Sequence, residues 1–581
     1  VDTPVVTHFA RDPLTPAGHR GPKAVGYLCQ RPGRRTLARG PAGRLFEEPT
    51  VADPLTTINT RATPQSRPAD PRQVPNNAGG HTFVVDELTR LRRFLVLGTD
   101  GGTYYADAPE LTSDSAGVVL DLAASRTTEL VSEVVTVSRA GRAPRQNPAL
   151  FALAAACSLG DDDGRRTALE ALPLVARTGT HLFLFARYVE QFRGWGRGLR
   201  RAVANWYLDR PVDELAFQAV KYRQREGWSH RDLLRLAHPR TDDERRTSLF
   251  RWILGRDDTP VEGLSVVDGF QRARSATTAE QVAALVTEFG LSWEMLPDEH
   301  VNAPVVWEAL LERGMPQTAL MRQLPRLTRL GLLSPLAART AEVVARLSDP
   351  DRLRAARVHP VNVLVAQRTY AAGHSARGDS RWEPSRPIVD ALDSAFYAAF
   401  GAVEPSGRRL MLALDVSGSM SFHPISGLPI TPREASAALS LVTAATESAY
   451  EIVGFTAGKL GALGSLSISP GQRLDDAVRV VSDLPFGGTD CALPMLTAIE
   501  RGLEVDTFVC YTDNETWAGD LHPHQALRRY REHTGIDAKL VVVGMTATGF
   551  SIADPTDPGM LDVAGFDAAV PTLITDFARG L

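Results

Sequence analysis

The sequence predicts an α + α/β chain, a long all-helical region followed by an α/β domain with a largely parallel sheet. Between about 76 and 370, short apolar-periodic segments are separated by Gly, Pro, Asp or Thr breaks. After about 400, continuous Val, Leu and Ile runs alternate with helical patterns. The 581 residues, 43% hydrophobic and 23% charged, supply large cores and exceed one ordinary domain.

Residues 1–75 hold 12 of the 39 prolines and eleven basic against six acidic residues, with no sustained period of 2 or 3.6. They read as a disordered or loosely attached arm, with 1–54 as an extension or misassigned start. The basic run RPGRRTLARG at 31–40 carries no site residues. Helices are then expected at 149–157, 165–177, 180–191, 211–225, 229–237, 243–254, 277–289, 304–312, 317–331 and 336–347. Amphipathic helices this short cannot each bury a stripe alone, so they stack in pairs as a helical-repeat solenoid or an irregular bundle. A domain at 55–370 is followed by a connecting segment at 371–400, with a polar stretch and a helix at 388–400.

The second domain, 401–581, has strands at 408–415 (RRLMLALD), 449–456 (AYEIVGFT), 506–513 (DTFVCYTD) and 539–546 (KLVVVGMT), with helices near 432–448, 490–502 and 523–532. Continuous apolar runs mark strands covered on both faces, hence an α/β sandwich. Such sheets place ligands beyond the carboxyl ends of their strands.

A formal net charge of −4 supplies no global attraction for nucleic acid or an anionic membrane, so a polyanion site must be local. Cysteines 29, 157, 491 and 510 form no CxxC pair and no zinc spacing. A reducing, cytoplasmic setting with buried or incidental thiols fits them. No apolar run is long enough for a membrane span. The first residues lack the pattern of a secretory signal, although a chain beginning with Val need not show its true start.

Three strand ends carry oxygen donors: Asp415-Val416-Ser417-Gly418-Ser419, Gly487-Gly488-Thr489-Asp490 and Thr512-Asp513-Asn514-Glu515. The i, i+2, i+4 spacing lets one tight turn aim Asp415, Ser417 and Ser419 at a point, with Gly418 tolerating the bend. Asp513 would come from the neighbouring strand and Thr489 from the intervening loop. Two carboxylates and three hydroxyls are hard donors, suited to magnesium or manganese and poorly suited to zinc. A lone DxSxS is as readily a polar turn; three fragments in order after apolar strands argue against that. The constellation resembles the metal-ion-dependent adhesion site of von Willebrand factor A domains. The resemblance implies Asp415, Ser417, Ser419, Thr489 and Asp513 as ligands of one divalent ion, Mg2+ or alternatively Mn2+. It also implies that Asp415 and Asp513 act largely through water, and that the site binds rather than catalyses.

Residues 193–256 hold fifteen Lys and Arg against eight Asp and Glu, interleaved with Trp195, Trp206, Tyr207, Tyr222 and Trp228. Basic residues can position phosphates and aromatic faces can stack on unpaired bases. Lys221 and Arg225 would sit four apart near a helix end that Gly227 terminates. Ser229 would cap the next helix, whose free amides could receive a phosphate beside His230. Equally, Trp206, Trp228 and His238 could pack between helices while the arginines face water.

The segment KYRQREGWSHRDLLRLAHP at 221–239 is very similar to the hallmark of the Ro 60 kDa autoantigen family, whose helical module is called TROVE. NNAGG at 76–80, LRRFLVLGTDGGTYYA at 91–106, ALPLVARTGTHLFLFARYVE at 171–190, MRQLPRLTRLGLL at 321–333 and VHP at 358–360 resemble further stretches of it. The match runs from about 55 to 581 and is closest to bacterial members. It implies a ring of HEAT-type paired helices closed by a C-terminal von Willebrand factor A domain, Rossmann-like in its winding. Implied partners are small noncoding Y RNAs on an outer basic surface and single-stranded 3′ ends of structured RNAs in the ring. A 3′→5′ exoribonuclease, polynucleotide phosphorylase, would be tethered through the Y RNA. The family's Y RNA surface carries over to Arg200, Arg201, Lys221, Arg223, Arg225 and His230.

The expected function is a non-enzymatic scaffold for quality control, processing or decay of RNA. The alternative is a metal-dependent protein-interaction adhesion module on a helical support. A phosphotransfer enzyme is disfavoured, because one oxygen-ligated ion has no positioned base, nucleophile or second metal beside it. Ser417 lacks a GxSxG elbow, His423 lacks an orienting carboxylate, and no GxGxxG follows a first strand.

Overall fold

The computed structural model describes residues 62–98, 108–256, 263–375, 379–401, 403–422, 425, 430–457, 463–470, 472–482, 484 and 487–581, within one compact unit spanning Thr57–Leu581. The expectations for 1–54, the basic run at 31–40, Cys29 and His423 lie outside the described residues.

Helices follow one another from Glu87–Leu97 to Arg386–Ala398 and pack pairwise, for example Asn147–Leu159 against Gly179–Phe192 and Ala279–Phe289 against Pro304–Arg313. Their caps follow local chemistry. Asp161, Thr178, Asp243 and Thr278 accept amides of the first turn, while Gly255 and Gly290 end helices in the left-handed conformation. Among the described residues no helix is long and apolar enough to cross a membrane.

The described residues form eleven strands: β1 (Gln73–Pro75), β2 (His81–Val84), β3 (Gln224–Arg225), β4 (Trp228–Ser229), β5 (Leu410–Asp415), β6 (Tyr450–Phe455), β7 (Leu463–Ser465), β8 (Thr507–Thr512), β9 (Lys539–Gly544), β10 (Phe550–Ser551) and β11 (Met560–Ala564). The central sheet has the order β11-β9-β8-β5-β6-β7, parallel except for β7 at its edge. β5 and β8 are buried at every residue, as their unbroken apolar runs require.

Both ends of the helical succession rest on this domain, so the polypeptide closes on itself as a ring. At the first end Arg93, fully buried, donates to the carbonyls of Thr548 (2.6 Å) and Phe550 (2.7 Å) and pairs with Asp562 at 2.5 Å. Arg142 pairs with buried Asp567 at 3.0 Å. At the other end Arg368 pairs with Glu434, Arg473 with Asp390, and the Leu474 amide donates to Asp393 at 2.8 Å.

Two expectations are corrected. Residues 62–75, expected in a loosely attached arm, are laid on the α/β domain, where β1 and β2 form a small antiparallel sheet with β10. Their anchors are individual hydrogen bonds, which leave no periodic signal. The helix expected over 211–225 is Val212–Lys221, followed by a β3–β4 hairpin. Glu226 (φ 55°) and Gly227 (φ 79°) form its two-residue turn, so Gly227 makes a hairpin rather than ending a helix.

Candidate metal centre and nucleic-acid interface

The three oxygen-bearing fragments converge at the carboxyl edge of the central sheet. Asp415 is the last residue of β5, Asp513 follows β8, and Gly488 bridges Ala457 just beyond β6, which brings Thr489 alongside. All five expected ligands, Asp415, Ser417, Ser419, Thr489 and Asp513, are buried. Asp415 Oδ1 accepts the Ser417 amide (2.9 Å) and Oδ2 the Thr512 hydroxyl (2.7 Å), while Ser417 Oγ and Ser419 Oγ lie 3.0 Å apart. Arg433, buried beneath the loop, donates to the carbonyls of Val416 and Ser417, the latter at 3.0 Å. Gly418 lies in the bend of the loop, as expected, and the left-handed residue of the site is Asn514 (φ 68°), after Asp513. Its side chain compensates by accepting the Ile552 amide at 3.0 Å.

Burial, and then the charge of Asp415, push the Asp513 carboxyl up to about 7. Burial, and then Asp513, push Glu515 up to about 8. Thr489 Oγ1 is buried without a hydrogen-bond partner. The clustered carboxylates thus raise one another next to an orphaned hydroxyl. Among the described residues no group of three or more His, Cys, Asp and Glu could hold a metal, so an ion here depends on hydroxyl oxygens. The donor set fits a hard divalent ion.

The basic residues do not form one continuous site. Arg200 and Arg201 are exposed on helix Arg197–Leu208, and Arg201 lines a groove of about 760 Å3 together with Arg165, Arg166 and Arg193. Carboxylates Asp162, Glu170 and Asp209 share that groove. A second groove, about 650 Å3, lies beside the β3–β4 hairpin and is lined by Arg223, Arg225, Arg231 and Trp252, with no carboxylate among its lining residues. Arg223 sits over the Phe270 ring at 5.4 Å, and Arg231 donates to the Leu254 carbonyl at 2.8 Å. Sequence reasoning missed Arg165, Arg166, Arg193 and Arg231, whose only signal was local charge; shared grooves are set by helix packing.

Lys221 and Arg225 do not share a helix face, because the helix stops at Lys221. The Lys221 side chain is 11% exposed, 3.5 Å from Glu294 and over the rings of Phe217 and Tyr222. The helix-start phosphate site is corrected too. Ser229 and Asp232 form a capping box in which the Asp232 carboxylate takes the Ser229 amide (3.0 Å) and Ser229 Oγ takes the Asp232 amide (3.3 Å). His230 is buried with Nδ1 2.8 Å from Tyr207 Oη, and burial lowers its pKa to about 4. The imidazole is therefore neutral and turned inward. Trp206 and Tyr207 are fully buried, with Trp206 Nε1 donating to the Ala176 carbonyl at 2.6 Å, so neither ring presents a face to a base. Trp195 and Trp228, partly exposed, pack on each other at 5.5 Å, and His238 is exposed rather than packed between helices.

Comparison with known proteins agrees with this division. The TROVE domain family matches residues 74–369 and the Ro60 vWA domain family matches residues 409–578. RNA-binding protein RO60 of Deinococcus radiodurans is 44% identical over 533 residues, 90% of this chain and 99% of that protein. RNA-binding protein RO60 of Caenorhabditis elegans is 35% identical, over 87% of this chain and 90% of its own length. The crystal structure of the Deinococcus radiodurans RO (RSR) protein superposes with a TM-score of 0.66 at 44% identity, covering 85% of this chain and all of that one. Two domain matches in the order the fold displays, with relatives aligned over nearly their whole length, place this chain in the Ro60 family.

Proposed function

We propose that the chain is the RNA-binding scaffold of a Y RNA ribonucleoprotein. It holds the single-stranded 3′ ends of misfolded, decaying or precursor RNAs for a separate nuclease. The observation that carries the assignment is the groove beside the hairpin, where Arg223, Arg225 and Arg231 meet with no carboxylate among the lining residues. Exposed guanidiniums in a groove whose lining holds no carboxylate suit a phosphate backbone, the dominant source of affinity for nucleic acid. Two relatives bear the name RNA-binding protein RO60, which supports RNA as the polyanion. Arg200 and Arg201 belong to a second basic surface on helix Arg197–Leu208, where Arg201 lines the separate groove with Arg165, Arg166 and Arg193.

The strand-end cluster holds one Mg2+, or Mn2+ in its place, through Asp415, Ser417, Ser419, Thr489 and Asp513. The ion supplies open coordination positions for an anionic group of a partner. Chemistry on RNA belongs to a partner exoribonuclease, polynucleotide phosphorylase tethered through the Y RNA, in the cytoplasm. The groove offers phosphate contacts without a metal, and the metal site offers an ion without a placed general base.

Crosslinking in cells followed by sequencing of the bound RNA tests the assignment. Small structured RNAs and 3′-tailed transcripts are expected, with the former lost in Arg223→Gln/Arg225→Gln. Recovery of no RNA, together with metal-dependent and nuclease-resistant capture of a protein, would replace the scaffold by a protein-adhesion module. Incubated alone with a 3′-tailed structured RNA and Mg2+, the protein should leave the RNA intact.

A further inference from the structure

The segment carrying Gln65 and the Asn76–Gly80 turn reaches the metal-bearing loops, well beyond what pairing β1 and β2 with β10 requires. Gln65 is fully buried and uses both ends of its amide. Its Nε2 donates to Asp490 Oδ1 (2.7 Å) and the Leu521 carbonyl (2.8 Å), and its Oε1 accepts the Thr516 hydroxyl (2.5 Å) and the Gly519 amide (3.3 Å). Asp490 directly follows Thr489, whose carbonyl in turn accepts the amides of Trp517 (3.1 Å) and Ala518 (3.0 Å). One side chain thus ties the Thr489 loop to the stretch that follows Asp513.

A second set of contacts grips that stretch nearer the ligand. The Glu515 amide donates to Asp513 Oδ1 at 3.1 Å, and its carboxylate accepts Asn77 Nδ2 at 2.8 Å and the Ala78 amide at 3.0 Å. Asn76 Nδ2 donates to the Thr516 carbonyl at 2.8 Å. Gly80 lies so close that a Cβ there would sit 1.8 Å from the Thr516 oxygen. The Asp415 loop, by contrast, is held by Arg433 from within the α/β domain.

We propose that residues 64–80 form a clamp on the metal centre, with Gln65 and Asn77 as positioning residues for Thr489 and Asp513. Ion binding and seating of the clamp therefore favour one another. The proposal rests on the divalent-ion reading of the strand-end cluster. The partners of a metal's ligands fix their orientation, and a coupling between two events acts equally in both directions. Because the clamp leads through β2 into the helix Glu87–Leu97, the first of the helical succession, an ion at the strand ends also strengthens the ring's closure on its N-terminal side.

The test is a Mn2+ titration of the full chain by electron paramagnetic resonance, with hydrogen exchange of amides 65–81 followed with and without Mn2+. Gln65→Ala and Asn77→Ala should each weaken Mn2+ binding about 10–100-fold, whereas Arg72→Ala should stay within about twofold of wild type. Arg72 anchors the same segment through Asp554 and Thr556, away from the ligand loops. Saturating Mn2+ should slow exchange at 65–81 in wild type. Asn77 is exposed, so its truncation reports on the clamp even where Gln65→Ala does not fold. Wild-type affinity in the folded Gln65→Ala and Asn77→Ala proteins would overturn the clamp, as would an equal loss in Arg72→Ala. Absence of Mn2+ binding by wild type would instead overturn the metal reading itself, and the clamp with it.

Discussion

Replacing Arg223 and Arg225 together with Gln isolates the carboxylate-free groove, and its consequence can be worked out before measurement. Both side chains are exposed, and among the described residues neither forms an ion pair, so the substitution breaks none in the fold. The structural cost is the Arg223 contact with the Phe270 ring, about 0.5–1 kcal/mol at an exposed site, together with the exposed hydrogen bond from Arg225 Nη1 to the Gln224 carbonyl. Each lost phosphate contact lowers the slope of log affinity against log salt by about 0.7 for single strands and about 0.9 for duplex. Two contacts lower it by about 1.4–1.8. Between about 50 and 200 mM salt, a fourfold change, the gap between wild type and variant should therefore close by about 7- to 12-fold. Fluorescence anisotropy of a labelled stem-loop RNA at both salt concentrations reads this directly. Lys221→Gln is the internal control: held by Glu294 and two rings, it should leave the slope unchanged. A double variant whose slope equals wild type, with unchanged circular dichroism, would refute the groove as a phosphate site. So would a full unit of slope lost in Lys221→Gln.

Truncating His230 to Ala strands Tyr207 Oη and opens a cavity between helices, so urea unfolding should show a loss of about 2–5 kcal/mol. RNA affinity of the folded fraction should not move. His181, His230 and His524 are each lowered to about 4 by burial, so the unfolded chain takes up protons at higher pH than the folded one. Stability should accordingly fall as pH drops from about 6.5 to about 4. His230→Gln should make that fall shallower, as followed by the thermal midpoint. Asp415→Ala should abolish Mn2+ binding while changing RNA affinity little; a loss matching that of the groove variant would place the ion in the RNA site. Gly80→Ala drives a methyl into the Thr516 carbonyl, and the strain of about 1–3 kcal/mol should appear as faster hydrogen exchange confined to the N-terminal strands.

The sequence by itself determined the two-part architecture, because local pattern reports local burial. Helical stripes read as paired helices, and the runs LMLALD and TFVCYT read as strands buried on both faces, which β5 and β8 are. It also placed Asp415, Ser417, Ser419, Thr489 and Asp513 at one sheet edge, since parallel topology sends successive strand ends to the same side. Tertiary structure alone decided which polar residues face solvent. The same stretch supplies Arg225 to a groove and turns His230 into the core, a difference made by a two-residue turn that ends a helix one turn early. A capping box bonded the Ser229 amide to the Asp232 carboxylate and the Asp232 amide to Ser229 Oγ, at the helix start that spacing had offered to a phosphate. The N-terminal segment is the extreme case. Gln65 has no periodic neighbours and no motif, yet is buried against residues more than 400 positions away, because single hydrogen bonds across a fold leave no trace in local order.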